Sequence, residues 1–115
     1  MKCRILILVL ALMPSAALAQ AISPSEAKDH VGQIVTIEGT VAEVHHTASG
    51  KATFVDMGGR YPNNVFTGVL FSGDAQKFPD IDSLAGKTVD MTGGIKLYQG
   101  RPEIILNDPA QIKIK

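Results

Sequence analysis

Two stretches of this chain repeat one pattern of apolar and polar positions. Gly32-x-x-Val35-x-Ile37-x-Gly39-x-Val41-x-x-Val44 matches Gly86-x-x-Val89-x-Met91-x-Gly93-x-Ile95-x-x-Tyr98 position for position, at an offset of 54 residues. Apolar, mostly β-branched residues alternate with polar ones in both copies, which predicts two long strands. The glycine in the middle of each copy suggests a bulge or sharp bend, and the step from two-residue to three-residue spacing after Val41 and Ile95 suggests a register change there. Long strands that coil at a glycine are what a small barrel needs in order to close.

The segments between and around the copies complete the pattern. Ser23-Pro24-Ser25-Glu26 has the spacing of a capping box with proline at the first helical position, predicting a short helix to about His30 that stops at Gly32. Lys51 to Met57 and Val65 to Phe71 read as two further strands, separated by the turn-forming segment Gly58-Gly59-Arg60-Tyr61-Pro62-Asn63-Asn64. Ala75, Phe78, Ile81 and Leu84 recur every three residues, which predicts a helical connector interrupted by Pro79. A Gly100-Arg101-Pro102 turn leads into a last strand through Ile104-Ile105-Leu106, and Gln111 to Lys115 is expected to extend the sheet edge. Phe54 and Phe71 are expected to fill the barrel interior, because small barrels pack their lumen with side chains.

The N-terminus changes the picture of where this domain works. Lys2 and Arg4 precede an apolar run from Ile5 to Met13, and small residues end at Ala17-Leu18-Ala19. This is the form of a secretory leader over residues 1–19, cut near Ala19, leaving residues 20–115 as one domain in the periplasm or outside the cell. The apolar run falls short of the roughly 20 residues that a spanning helix needs, so no membrane anchor is expected in the mature chain. The sole cysteine, Cys3, lies within the leader, which leaves the domain without disulfide or thiolate chemistry. Of the 11 basic residues, Lys2 and Arg4 leave with the leader, so nine face 11 acidic residues and the net charge is 9 − 11 = −2. That balance argues against binding driven mainly by phosphate charge.

Val35-x-Ile37-x-Gly39-x-Val41, Gly58-Gly59-Arg60-Tyr61-Pro62-Asn63, Phe66-Thr67-Gly68-Val69-Leu70-Phe71, Gly86-Lys87-Thr88-Val89 and Tyr98-Gln99-Gly100-Arg101-Pro102-Glu103-Ile104-Ile105-Leu106 together resemble a family of small exported bacterial OB-fold proteins. These are described as nucleic-acid-binding-like or nuclease-like OB domains. The resemblance spans about Ser23 to Ile112. It implies a mainly β fold: a five-stranded Greek-key OB barrel with a short N-terminal helix and a helical connector between the third and fourth strands. The closing hairpin also resembles that of anticodon-binding OB domains and of the exonuclease VII large subunit. In those relatives nucleic acid lies across the face of the second and third strands, between the first-to-second and fourth-to-fifth loops.

On that layout the candidate ligand-binding residues are Lys51, Arg60, Tyr61, Lys96, Tyr98 and Arg101, with Arg101 able to engage a phosphate or carboxylate at two points. Each of these charges equally suits an ordinary solvated loop tip, and Tyr98, which takes the place of Val44 in the repeat, equally suits a cap on the barrel end. His45-His46 invites a metal reading, but neighbours on a strand face opposite ways, and only Glu43 and Asp56 stand near enough in sequence to add ligands. The pair is read as solvated, with no metal and no cofactor. Asp74, Asp80 and Asp82 lack the ligand spacing of a calcium loop. No nucleophile or base motif stands out, so the chain is expected to bind rather than catalyse. The leading expectation is an exported binding module for single-stranded nucleic acid. The alternative is an envelope interaction protein that docks a protein or glycan partner without nucleic acid.

Overall fold

The two repeated segments form strands that pair with each other. In the computed structural model, which describes residues 20–115, β2 (Ile34–His46) runs antiparallel to β5 (Thr88–Gly94), with Val35 opposite Gly93, Ile37 opposite Met91 and Gly39 opposite Val89. Each glycine therefore faces the valine of the other copy, and the pairing has local two-fold symmetry about Ile37 and Met91. The backbone bonds flanking it obey the same symmetry: Gly32 N–H donates to Ile95 O and Gly86 N–H to Val41 O, both at 2.8 Å. Residues 1–19, on which the leader expectation falls, lie outside the described residues.

Around this pair stand β1 (Ala21–Ile22), β3 (Ala52–Met57), β4 (Phe66–Phe71), β6 (Lys96–Tyr98), β7 (Arg101–Leu106) and β8 (Ile112–Ile114). The hydrogen-bonded order is β6-β7-β4-β3-β2-β5-β8, with β1 added in parallel to β2 and β7 parallel to β4. Eight strands replace the expected five. The predicted fourth strand is broken at Ile95, a buried residue whose N–H bonds Gln33 O, so that β5 stays on β2 while β6 turns away to pair with β7. The ladder consequently does not close into a ring; chain continuity through Ile95, not hydrogen bonding, joins β5 to β6. β1 and β8 are additional short strands, β8 confirming that the tail extends the sheet along β5.

The expected helices are short 3-10 turns: Pro24–His30, Ser72–Lys77 and Ile81–Leu84, with a further turn at Pro109–Gln111. Ser23 N–H donates to Glu26 Oε1 at 2.8 Å, as the capping box requires. Pro79 separates the two turns of the connector, since it has no N–H to continue the first. Among the described residues no helix is long and apolar enough to cross a membrane.

The mid-strand glycines are not bulges. Gly39 and Gly93 lie in unbroken register, and the register shift on β2 comes later, between Val41 and Glu43. What each glycine supplies is room: a Cβ on Gly39 would stand 2.6 Å from Pro24 Cγ, and one on Gly93 would stand 2.6 Å from Ile104 Cγ2. They let the first 3-10 turn and β7 close onto the sheet.

The core is built from Ile37, Val41, Val55, Met57, Phe66, Leu70, Val89, Met91, Ile104 and Leu106, covered by Ala27, Ile81 and Leu84 from the 3-10 turns and by Phe78 between two of them. Each large aliphatic or aromatic side chain buried there contributes about 1.5–3 kcal/mol. The expected placement of the phenylalanines is corrected by strand parity. Phe66 and Leu70 point inward, so Phe71 falls on the opposite face and is 50% exposed. On β3, Val55 and Met57 take the core, which sends Phe54 and Asp56 to the other face.

Candidate functional site

The register shift after Val41 sets which residues of β2 face β3. Glu43 stands opposite Asp56 and His45 opposite Phe54. Because residues two apart share a face, Glu43, His45, Phe54 and Asp56 form one patch, on the side of the sheet away from the core. Phe54 and His45 rings lie 5.1 Å apart, and the Tyr61 ring lies 5.7 Å from His45 on its other contact.

A cleft of about 640 Å³ opens over this patch, lined among others by His45, Phe54, Asp56, Tyr61, Tyr98 and Arg101. One wall is the segment between β3 and β4, and the other is the β6-β7 hairpin. Tyr61 and Tyr98 stand on the two walls, 62% and 60% exposed. Arg101 bridges the walls: Nη1 donates to Asn64 Oδ1 at 3.0 Å, Nη2 donates to Pro62 O at 2.7 Å, and the guanidinium lies 5.8 Å from the Tyr61 ring centre.

From Arg101 the hydrogen bonds run inward. An arginine can only donate, so Asn64 presents its oxygen to Arg101 and its amide nitrogen to the interior. That nitrogen donates to Asp56 Oδ1 at 3.2 Å and to Thr67 Oγ1 at 2.6 Å, while the Thr67 hydroxyl donates to Asp56 Oδ1 at 2.9 Å. Asp56 is 1% exposed, and burial pushes its carboxyl above the usual range, partly offset by the Thr67 hydrogen bond. Its other oxygen, Oδ2, lies 3.3 Å from His45 Nε2, yet neither atom has a hydrogen-bond partner among the described residues.

Glu43 completes the cluster. Burial pushes its carboxyl up, but the Arg60 side chain and the Tyr61 N–H, at 3.1 and 3.4 Å, outweigh that and hold it below the usual range. Glu43, His45 and Asp56 each offer a ligand atom, and these atoms lie within 4.8 Å of one another. His46 turns elsewhere, to Asp82 and Thr53, both at 2.8 Å, as opposite-facing neighbours on a strand should.

The sequence-derived site residues are thus divided. Tyr61, Tyr98 and Arg101 line one cleft; Arg60 stands at its edge, held by Glu43; Lys51 and Lys96 are exposed and do not line it. Lys96 sits opposite Glu103 in the β6-β7 ladder. The tyrosine at position 98 does not cap a barrel end. Phe54, Asn64 and Thr67, which sequence reasoning did not select, join the cleft. An aspartate in mid-strand is depleted for good reason, and Asp56, alternating with core positions Val55 and Met57, was the available signal.

No protein-family model matches this sequence, and no curated protein matches it either. Solved structures do. A putative aspartyl-tRNA synthetase from Leishmania major Friedlin is similar over 93% of this chain at 16% identity, with a TM-score of 0.58. The asparaginyl-tRNA synthetase from Pyrococcus horikoshii is similar over 81% at 17% identity, TM-score 0.59. This chain spans only 22% of either synthetase. An OBody bound to hen egg-white lysozyme is matched over 98% of its own length and 91% of this chain, at 20% identity and a TM-score of 0.60. The likeness is one of fold: this is an OB-like β domain.

Proposed function

We propose that this chain is a binding module that takes a short single-stranded nucleic-acid segment in the cleft over β2 and β3, and that it does so after export, in the periplasm or outside the cell. The observation that carries the reading is the pairing of Tyr61 and Tyr98, one exposed on each wall of the cleft, with Arg101 between them. Base stacking on exposed aromatic rings with a cation at the backbone is how sequence-tolerant single-strand binding works. Arg101 spends two of its donor positions on Asn64 and Pro62 and keeps others for a phosphate. Fold neighbours that are aminoacyl-tRNA synthetases support the ligand class. The module binds and does not catalyse. Fluorescence anisotropy with labelled single-stranded oligonucleotides at low salt tests this: saturable binding that Tyr98→Ala weakens is expected, and no binding at high micromolar protein contradicts it.

A second reading, an envelope interaction protein, is favoured by one feature. β6 ends the hydrogen-bonded order, and its Leu97 is 50% exposed beside Tyr98, a free edge suited to adding a partner's strand. The OBody bound to lysozyme is an example of a similar fold engaging a protein.

A further inference from the structure

The geometry points to a divalent-cation site at the floor of the cleft, formed by Glu43, His45 and Asp56 and suited to a first-row transition ion such as Zn²⁺ or Mn²⁺. The inference does not depend on what larger ligand the cleft takes. It revises the reading of His45-His46 as a merely solvated pair: the two histidines do diverge, and the partners His45 keeps are Glu43, two residues earlier on its own strand, and Asp56, which stands opposite Glu43 on β3.

Three observations converge. First, Glu43 and Asp56 are directly opposed on neighbouring strands, which brings two carboxylates and the His45 imidazole to one place. Second, Asp56 is 1% exposed and uses only Oδ1 in hydrogen bonds, leaving Oδ2 and His45 Nε2 aimed into shared space without a hydrogen-bond partner among the described residues. Buried polar atoms are rarely left so. Third, the separation of two of the three ligand atoms fits an ion, with the Glu43 oxygen within 4.8 Å of both. Tetrahedral bonds of about 2.0–2.2 Å place neighbouring ligand atoms roughly 3.4 Å apart, and Asp56 Oδ2 and His45 Nε2 are 3.3 Å apart.

The supporting contacts are of the kind that hold metal ligands in place. Thr67 and Asn64 fix Asp56 through the oxygen that would not ligate, and Arg60 with the Tyr61 N–H fixes Glu43. One imidazole with two carboxylates favours Zn²⁺ or Mn²⁺ over Ca²⁺ or Mg²⁺, which take oxygen ligands. Three protein ligands would leave coordination positions for water or a further ligand, and two of the three residues, His45 and Asp56, line the cleft.

The test is calorimetric titration of Zn²⁺ into the purified, tag-free protein after chelator treatment, alongside His45→Gln, Asp56→Asn and His46→Gln. One ion per chain is expected, weakened at least about tenfold by each of the first two substitutions and unchanged by the third, with Ca²⁺ and Mg²⁺ failing to compete. Absence of binding, binding retained in His45→Gln, or binding lost in His46→Gln overturns the site. A measurement on the unaltered protein covers the case in which a variant does not fold: trace Mn²⁺ must broaden the amide resonances of Glu43, His45 and Asp56 before any others. Broadening centred elsewhere overturns it equally.

Discussion

Arg101 Nη1 donates to Asn64 Oδ1 at 3.0 Å, tying the β6-β7 turn to the far wall of the cleft. Asn64 passes the restraint inward to Asp56. Asn64→Ala removes both links at once, leaving Arg101 short of an acceptor and Asp56 Oδ1 with one donor instead of two. A buried group that loses its partner costs about 1–3 kcal/mol. Urea denaturation should show a loss of that size, and Thr67→Val should add to it less than its single effect, because both residues serve one carboxylate.

Room at Gly39 and Gly93 is a condition of closing the fold. The atoms a new methyl would meet belong to the Pro24 ring and to the branched Cγ2 of Ile104, neither of which can swing aside. Gly39→Ala and Gly93→Ala should each destabilise by roughly 1–3 kcal/mol, the usual cost of overpacking, whereas Gly94→Ala, with nothing near its position, should stay within about 1 kcal/mol of the parent.

Glu103 provides a pH signature. Burial pushes its carboxyl above the usual range, and Lys96 only partly opposes this. The folded state therefore holds the proton more tightly than the unfolded chain does. Its favourable contribution is fully present below the unfolded value, about 4.3, and is lost as pH rises through the folded one. Glu103→Gln should raise Tm at neutral pH, with the gain shrinking toward about pH 4. A lower Tm at neutral pH would mean that Lys96 outweighs burial.

Binding to an oligonucleotide should be modest in its salt dependence, since few cations stand at the cleft. Contact with about two phosphates gives a slope near −1.4 on logarithmic axes, or a five- to tenfold loss between roughly 50 and 200 mM salt. Tyr98→Ala should weaken binding by about 1–3 kcal/mol, the worth of one stacked base, while Lys51→Ala should leave it unchanged, because Lys51 does not line the cleft.

Much of this architecture was legible in the chain because it rests on local period and turn chemistry. The alternation of Val35, Ile37, Gly39 and Val41 and its copy at Val89, Met91, Gly93 and Ile95 marked two strands of one design, although not that they pair with each other. Ser23 and Glu26 marked a capped turn, and Pro79 a broken connector. What stayed hidden depends on parity and distant contact. A one-residue difference in phase decides that Phe66 is core and Phe71 is not; the register change after Val41 was legible in the spacing and lies between Val41 and Glu43, but that it brings Glu43 and His45 to Asp56 was not. Arg101, Tyr61 and Tyr98 were identifiable as a cation and aromatics on loops; the dependence of Arg101 on Asn64, 37 residues away in sequence, was not.

Entry of the ligand between Tyr61 and Tyr98 is decided by amide chemical-shift mapping with a short single-stranded oligonucleotide of about six residues. Perturbations are expected only on β2 from Glu43 to His46, β3 at Phe54 and Asp56, the segment from Arg60 to Asn64, and the turn from Tyr98 to Arg101. Perturbations centred instead on a second groove, lined by Phe78, Ile81 and Ile112, or none at millimolar oligonucleotide, would rule this entry out.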